Sequence, residues 1–170
     1  MKKTLIIAEA GINHNGYEKI AKKLVDIASK AGADFVKFQV FCSDEMVTPQ
    51  ADKALYQKKN SSKKQTQLDM LRKFELNHKQ HLNIIKYCKR KNIRYMASAF
   101  DLKSLKFIKD KLEIIKIPSG EITNLPLLEE IGKIKKKVIL STGASKITEI
   151  KNAIKVLIKN GLKRKKLSLL

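Results

Sequence analysis

Glu9 ends a short apolar run, Leu5-Ile6-Ile7-Ala8, and a turn made of Gly11, Asn13, His14, Asn15 and Gly16 follows at once. A carboxylate and a polar, glycine-punctuated turn at the carboxyl end of a strand stand where α/β folds place their ligands. Two further strands each carry a lysine among apolar residues: Phe35-Val36-Lys37-Phe38-Gln39 and Ile114-Ile115-Lys116-Ile117, the latter running on into Pro118-Ser119-Gly120-Glu121. Alternation puts Phe35, Lys37 and Gln39 on one face. A buried ammonium without a partner is costly, so each lysine must find an anion or give up its proton at a lowered pKa. A structural ion pair satisfies one such lysine. Two of them, beside the turns Ser119-Gly120 and Ser141-Thr142-Gly143, point to an anion site. Phosphate suits it, because serine, threonine and glycine turns offer hydroxyl and backbone N–H donors while lysine supplies charge.

The remaining reactive side chains carry less. His14, in the turn after Glu9, reads as a hydrogen-bonding residue that shapes the site, since no second metal ligand lies near it in sequence. His78 and His81, at a helix start, read as surface residues. Cys42 follows the second strand and borders the expected pocket, without a neighbouring base to make it a nucleophile. Cys42 and Cys88 lack paired spacing, which suggests reduced thiols in a cytoplasmic protein. The apolar stretch after Met1-Lys2-Lys3 is too short for a signal peptide, and no run approaches a membrane span.

These residues need a scaffold, and strand and helix signals alternate along the chain. Strands are expected at Thr4–Glu9, Asp34–Val40, Ile93–Ala97, Glu113–Ile117, Lys137–Leu140 and Lys166–Leu170. Helices are expected at Lys19–Ala31, Thr66–Phe74, His78–Lys91, Leu102–Lys111, Leu125–Lys133 and around Ile147 to Ile158. A polar insertion from Phe41 to about Lys64 reads as a loop with a short helix near Tyr56. Alternating strands and helices imply an α/β fold with a parallel sheet. A (β/α)8 barrel takes about 250 residues, so 170 residues hold the first five βα units and the opening of a sixth strand. A doubly wound sheet is the structural alternative. The net charge of +21 comes from 37 lysines and arginines, of which only Arg72, Arg90, Arg94 and Arg164 are arginines. The lysines are spread over helical faces and no nucleic-acid motif accompanies them, so the charge reads as a compositional habit.

The segments Ala8-Glu9-Ala10-Gly11-Ile12-Asn13-His14-Asn15-Gly16, Val36-Lys37-Phe38-Gln39, Lys116-Ile117-Pro118-Ser119-Gly120-Glu121 and Leu140-Ser141-Thr142-Gly143 occur in an order and spacing that resemble the N-acetylneuraminate synthase (sialic acid synthase) family. The resemblance covers the whole chain. It implies that residues 1–170 are the amino-terminal part of a catalytic (β/α)8 TIM barrel, with the rest of the barrel and a carboxyl-terminal antifreeze-like domain absent from them. It also implies condensation of phosphoenolpyruvate with an N-acetylated amino sugar, such as N-acetylmannosamine, to a nonulosonic acid and phosphate. Carried over by position, Lys37, Lys116, Ser119 and Ser141 hold phosphoenolpyruvate. Ser98 is a weaker candidate for the same role. Glu9 and Gln39 meet the sugar, Glu121 lies near the reacting centre, and Asn13 and His14 complete the binding turn. The family requires a divalent metal, Mn²⁺ or Mg²⁺, whose two histidine ligands come from strands beyond the fifth and are missing here. A homodimer is expected of the full-length family, with no membrane and no specific nucleic acid as partner. One departure is Ser98-Ala99-Phe100-Asp101, which lacks the proline usual in that turn. The chain alone is expected to be inactive and poorly stable, with exposed sheet edges. Competing readings are a metal-free Schiff-base aldolase using Lys37 or Lys116, and a basic nucleic-acid-binding protein resting on charge alone.

Overall fold

The computed structural model describes residues 4–48, 51 and 66–170. Its order is β1 (Ile7–Gly11), α1 (Glu18–Lys30), β2 (Phe35–Val40), α2 (Ser43–Met46), α3 (Gln67–Phe74), α4 (His78–Arg90), β3 (Arg94–Ala99), α5 (Leu102–Ile108), β4 (Ile114–Ile117), α6 (Leu125–Ile134), β5 (Lys137–Leu140), α7 (Ile147–Lys159) and β6 (Leu167–Leu169). The strands form one sheet in the order β1-β2-β3-β4-β5-β6, with every neighbouring pair parallel. A doubly wound sheet reverses its strand order at a switch point. The sequential order has no reversal, and the architecture is that of a partial β/α barrel.

Side-chain alternation divides the sheet into two unlike faces. Val36, Phe38, Val40, Tyr95, Ala97, Ile115, Ile117, Val138 and Leu140 point outward into the main core, where they meet Ala21, Val25, Ala28, Ile84, Cys88, Leu105, Leu127, Ile131, Ala153 and Leu157 from the helices. Phe35, Met96 and Ile114 form a separate inner cluster, flanked by Ile7 and Ile139. Strands covered on both faces read as nearly continuous apolar runs, and β4 is buried along its whole length.

Helix starts are set by side-chain caps. Thr66 with Asp69 and Asn77 with Gln80 form reciprocal capping boxes at α3 and α4. Asp101 caps α5, and Asn124 caps α6 with Pro126 in its first turn. These caps satisfy backbone N–H groups that have no partner within the helix. Helix α1 is tied to α4 by Lys91 to Asp26 at 2.8 Å and by the Tyr87 hydroxyl donating to Asp26 at 3.0 Å.

The structure differs from the sequence reading in detail: α2 (Ser43–Met46) lies in the segment read as a loop, and β3 runs on to Ala99. Strand β1 begins at Ile7 and continues past Glu9 to Gly11, with a bulge between those two residues. Helix α5 ends at Ile108 and tightens into a 3₁₀ turn over Lys109–Lys111. His81 is not a surface residue: it is fully buried on α4, in a stripe with Ile84 and Cys88. Positions 81, 84 and 88 share one helical face, so the sheet-facing side of α4 takes the histidine in. His78, one turn earlier, is exposed and stacks on Phe107. The helix expected near Tyr56 lies outside the described residues.

Candidate active site

Inward-facing positions on successive strands build the site in two layers. The lower layer is the apolar cluster of Ile7, Phe35, Met96, Ile114 and Ile139. Two residues further along each strand the same face turns polar. Glu9 pairs in register with Lys37, Gln39 with Ser98, and Ser98 with Lys116. Ser141 follows directly on β5. The parallel register therefore gathers Glu9, Lys37, Gln39, Ser98, Lys116 and Ser141 at the carboxyl ends of five adjacent strands.

Lys116 is buried, and its ammonium donates to Ser141 Oγ at 2.5 Å and to the Ile117 carbonyl at 2.9 Å. Burial, reinforced by the positive charge of Lys37 and partly offset by Glu9, pushes its pKa down to about 8. Lys37 makes an ion pair with Glu9, Nζ to Oε2 at 2.6 Å. Ser98 Oγ is buried with no hydrogen-bond partner among the described residues. A buried hydroxyl without a partner is costly, and this one lies in register between Gln39 and Lys116. Ser119 opens the 3₁₀ turn Ser119–Glu121 after β4. A Cβ on Gly143 would stand 3.7 Å from Ser119 Oγ, so the turns after β4 and β5 touch.

The other sequence candidates sit further out. Glu121 ends the 3₁₀ turn, where its carboxylate accepts from Asn124 Nδ2 at 2.7 Å. Asn13 is an exposed turn residue whose N–H donates to the Ala10 carbonyl. His14 is buried, accepts from the Gly16 N–H at Nδ1 (3.0 Å), and lies 6.1 Å ring to ring from Phe38. Phe38 belongs to the outward core, so His14 braces the β1–α1 turn from the helix side. Burial lowers its pKa. Gly16 closes that turn at φ +79°, with the Lys73 carbonyl 2.2 Å from where a Cβ would stand. No side chain larger than hydrogen fits there.

Sequence reasoning passed over Asp101 as a working residue. Its carboxylate accepts from the Ser104 N–H and hydroxyl, each at 2.7 Å, and from the Cys42 N–H at 2.9 Å. One buried carboxylate thereby joins the chain leaving β2 after Gln39 to the chain leaving β3 after Ser98. The available signal was an aspartate three residues before a serine at a helix start. A surface groove of about 440 Å³ between α5 and α6, lined by Leu102, Lys106, Lys133 and Ile134 among others, lies on the helical side and holds none of the strand-end residues.

A sequential parallel β/α sheet with lysines and hydroxyls converging at its strand ends defines an α/β protein of partial-barrel architecture. The NeuB family model matches residues 24–170, and the chain belongs to that family. It is 51% identical, over its full length, to N,N'-diacetyllegionaminic acid synthase of Campylobacter jejuni, and covers 51% of that protein. It is 43% identical over 88% of its length to the protein of the same name from Legionella pneumophila, covering 42% of it. Among solved structures, the N-acetylneuraminic acid (sialic acid) synthetase of Leptospira borgpetersenii superposes with a TM-score of 0.81 at 30% identity, covering 98% of this chain and 53% of the other. The chain thus spans about half the length of the relatives it matches. Among the described residues no group of three or more His, Cys, Asp or Glu converges as a metal site.

Proposed function

We propose that this chain carries the phosphoenolpyruvate-holding part of an enzyme that condenses phosphoenolpyruvate with an N-acetylated amino sugar to a nonulosonic acid and phosphate. The observation that carries the reading is the pair Lys37 and Lys116 at the ends of β2 and β4, either side of Ser98 on β3, one held by a carboxylate and the other only by neutral groups. Lys37, Lys116, Ser119 and Ser141 hold the phosphate and carboxylate of phosphoenolpyruvate, and Ser98 supplies a further hydroxyl. Glu9 and Gln39, at the outer rim, meet the sugar. In the reaction the enol carbon attacks the aldehyde carbon of the open-chain sugar. Water then adds to the resulting oxocarbenium carbon, and phosphate leaves with cleavage of its C–O bond. The lysines oppose the negative charge of both phosphate and carboxylate throughout, and Glu121 handles a proton or orients the water. The divalent cation belongs to this reading through residues other than those described here. So do the remaining barrel strands, the antifreeze-like domain and the homodimer. The proposed setting is the cytoplasm, and no helix among the described residues is long and apolar enough to cross a membrane.

The proposed sugar carries two acetamido groups, because the relatives at 51% and 43% identity both bear the name N,N'-diacetyllegionaminic acid synthase. Calorimetric titration of the chain with phosphoenolpyruvate tests the core of the reading. Binding is expected, with a loss of about tenfold or more in Lys116→Met and in Lys37→Met. Binding indifferent to both substitutions would sink it. The lowered pKa of Lys116 favours one second reading, an amine nucleophile that forms a Schiff base. Borohydride treatment with pyruvate separates the two, since only the Schiff-base reading yields a covalent lysine adduct by mass spectrometry.

A further inference from the structure

The ion pair at the rim is lopsided. Lys37 is 12% exposed in its side chain, whereas Glu9 is 51% exposed. Lys116 has only neutral partners, the Ser141 hydroxyl and the Ile117 carbonyl. It nevertheless feels both members of the pair, repelled by Lys37 and favoured by Glu9. The strand ends thus hold two ammonium groups and one nearby carboxylate, and that carboxylate comes from the most solvent-facing member. Gly11 leaves room for it: a Cβ there would stand 3.1 Å from Glu9 Oε1 and 3.8 Å from Gln39 Nε2. The backbone at Gly11, with φ +53°, also takes a conformation that favours glycine.

We propose that Glu9 is an internal competitor for the anion position: its carboxylate occupies Lys37 in the empty site and is displaced by the phosphate of the incoming ligand. The inference rests on the phosphate-holding reading above and adds what guards that site. The physical case has two halves. An exposed carboxylate regains its water when it leaves, so breaking this pair costs far less than breaking a fully buried one. The Lys37 side chain is mostly buried, so its ammonium gains from an anion beside it. A phosphate dianion that reaches both Lys37 and Lys116 replaces one charge contact by two. The exchange swaps ion-pair partners and makes or breaks no covalent bond. Between ligands, Glu9 stays on Lys37 and turns away weak monoanions such as chloride.

The test is a titration of the full chain with inorganic phosphate, followed by calorimetry, on wild type, Glu9→Gln, Glu9→Ala and Lys116→Met, with circular dichroism to confirm that each is folded. Removing the competitor is expected to tighten phosphate binding by about fivefold to tenfold in both Glu9 variants. It should also make chloride a better inhibitor of that binding. Phosphate bound only by the Glu9 variants would support the proposal equally. Glu9 variants that bind phosphate no better than wild type, while Lys116→Met loses it, would overturn the competitor role and leave the anion site standing. No binding by wild type or either Glu9 variant would overturn both.

Discussion

His81 is surrounded by rings. Its Nδ1 lies 3.0 Å from the Tyr95 hydroxyl, and its Nε2 has no partner among the described residues. Burial, with repulsion from His14 and His78, pushes its pKa down to about 3. An unfolded histidine takes up its proton near pH 6.5, whereas the folded one stays neutral until far lower pH. The unfolded state therefore binds more protons between pH 6.5 and about 3, and the stability from neutral burial is full above that window and falls as the pH drops through it. The slope is up to about 1.4 kcal/mol per pH unit. His14, shifted in the same direction by burial, adds to it. The urea midpoint is expected to fall clearly between pH 7 and pH 5, and His81→Gln is expected to flatten that dependence. An unchanged slope in the variant would assign the acid sensitivity elsewhere. The burial of His81 was legible in the sequence, through the 81, 84, 88 spacing. Its nearness to His78 suggested a surface pair instead. Lys37 and Lys116 were the easier case, because a lysine within an apolar strand conflicts with its surroundings unless chemistry explains it.

At the level of elements, β2, β3 and β4 could be read from their apolar runs, and the alternation of strand and helix signals correctly implied a parallel sheet. The bulge in β1 could not, because a bulge is a property of register against β2 and not of β1 alone. The link through Asp101 was also hidden, since Cys42 lies 59 residues away in sequence. Its role gives a sharp expectation. Asp101→Ala leaves the Cys42 N–H and the Ser104 N–H without their acceptor and removes the cap of α5. The loss should be about 2–3 kcal/mol, combining a lost cap with unpaired buried donors. Chemical denaturation measures it, and a loss under about 0.5 kcal/mol would mean that water replaces the carboxylate without penalty. Asp101→Asn, which keeps an acceptor oxygen, should recover part of the stability.

Over the whole molecule, the charge of +21 finds part of its explanation in the topology. Each helix runs back against its strands, so helix carboxyl ends gather at the face opposite the site. Lysines serve the carbonyls there. Lys136 Nζ donates to the Lys109 and Leu112 carbonyls at 2.8 and 2.7 Å, Lys111 Nζ to Phe107 at 2.8 Å, and Lys166 Nζ to Lys135 at 2.6 Å. Cations favour helix carboxyl ends. Binding to duplex DNA is accordingly expected to be weak, equal for unrelated sequences and abolished as salt rises toward about 0.2 M. A filter-binding series across salt and sequence would show it, and salt-resistant, sequence-dependent binding would contradict it. The two-layered interior has a consequence of its own. Beneath the lysines the apolar layer of Ile7, Phe35, Met96, Ile114 and Ile139 is backed by the Arg94 guanidinium, 3.9 Å from the centre of the Phe35 ring. In the closed barrel of the proposed enzyme that layer would be the floor of a well: a molecule bound at Lys37 and Lys116 would enter by the mouth and would have to clear it before the next one descends.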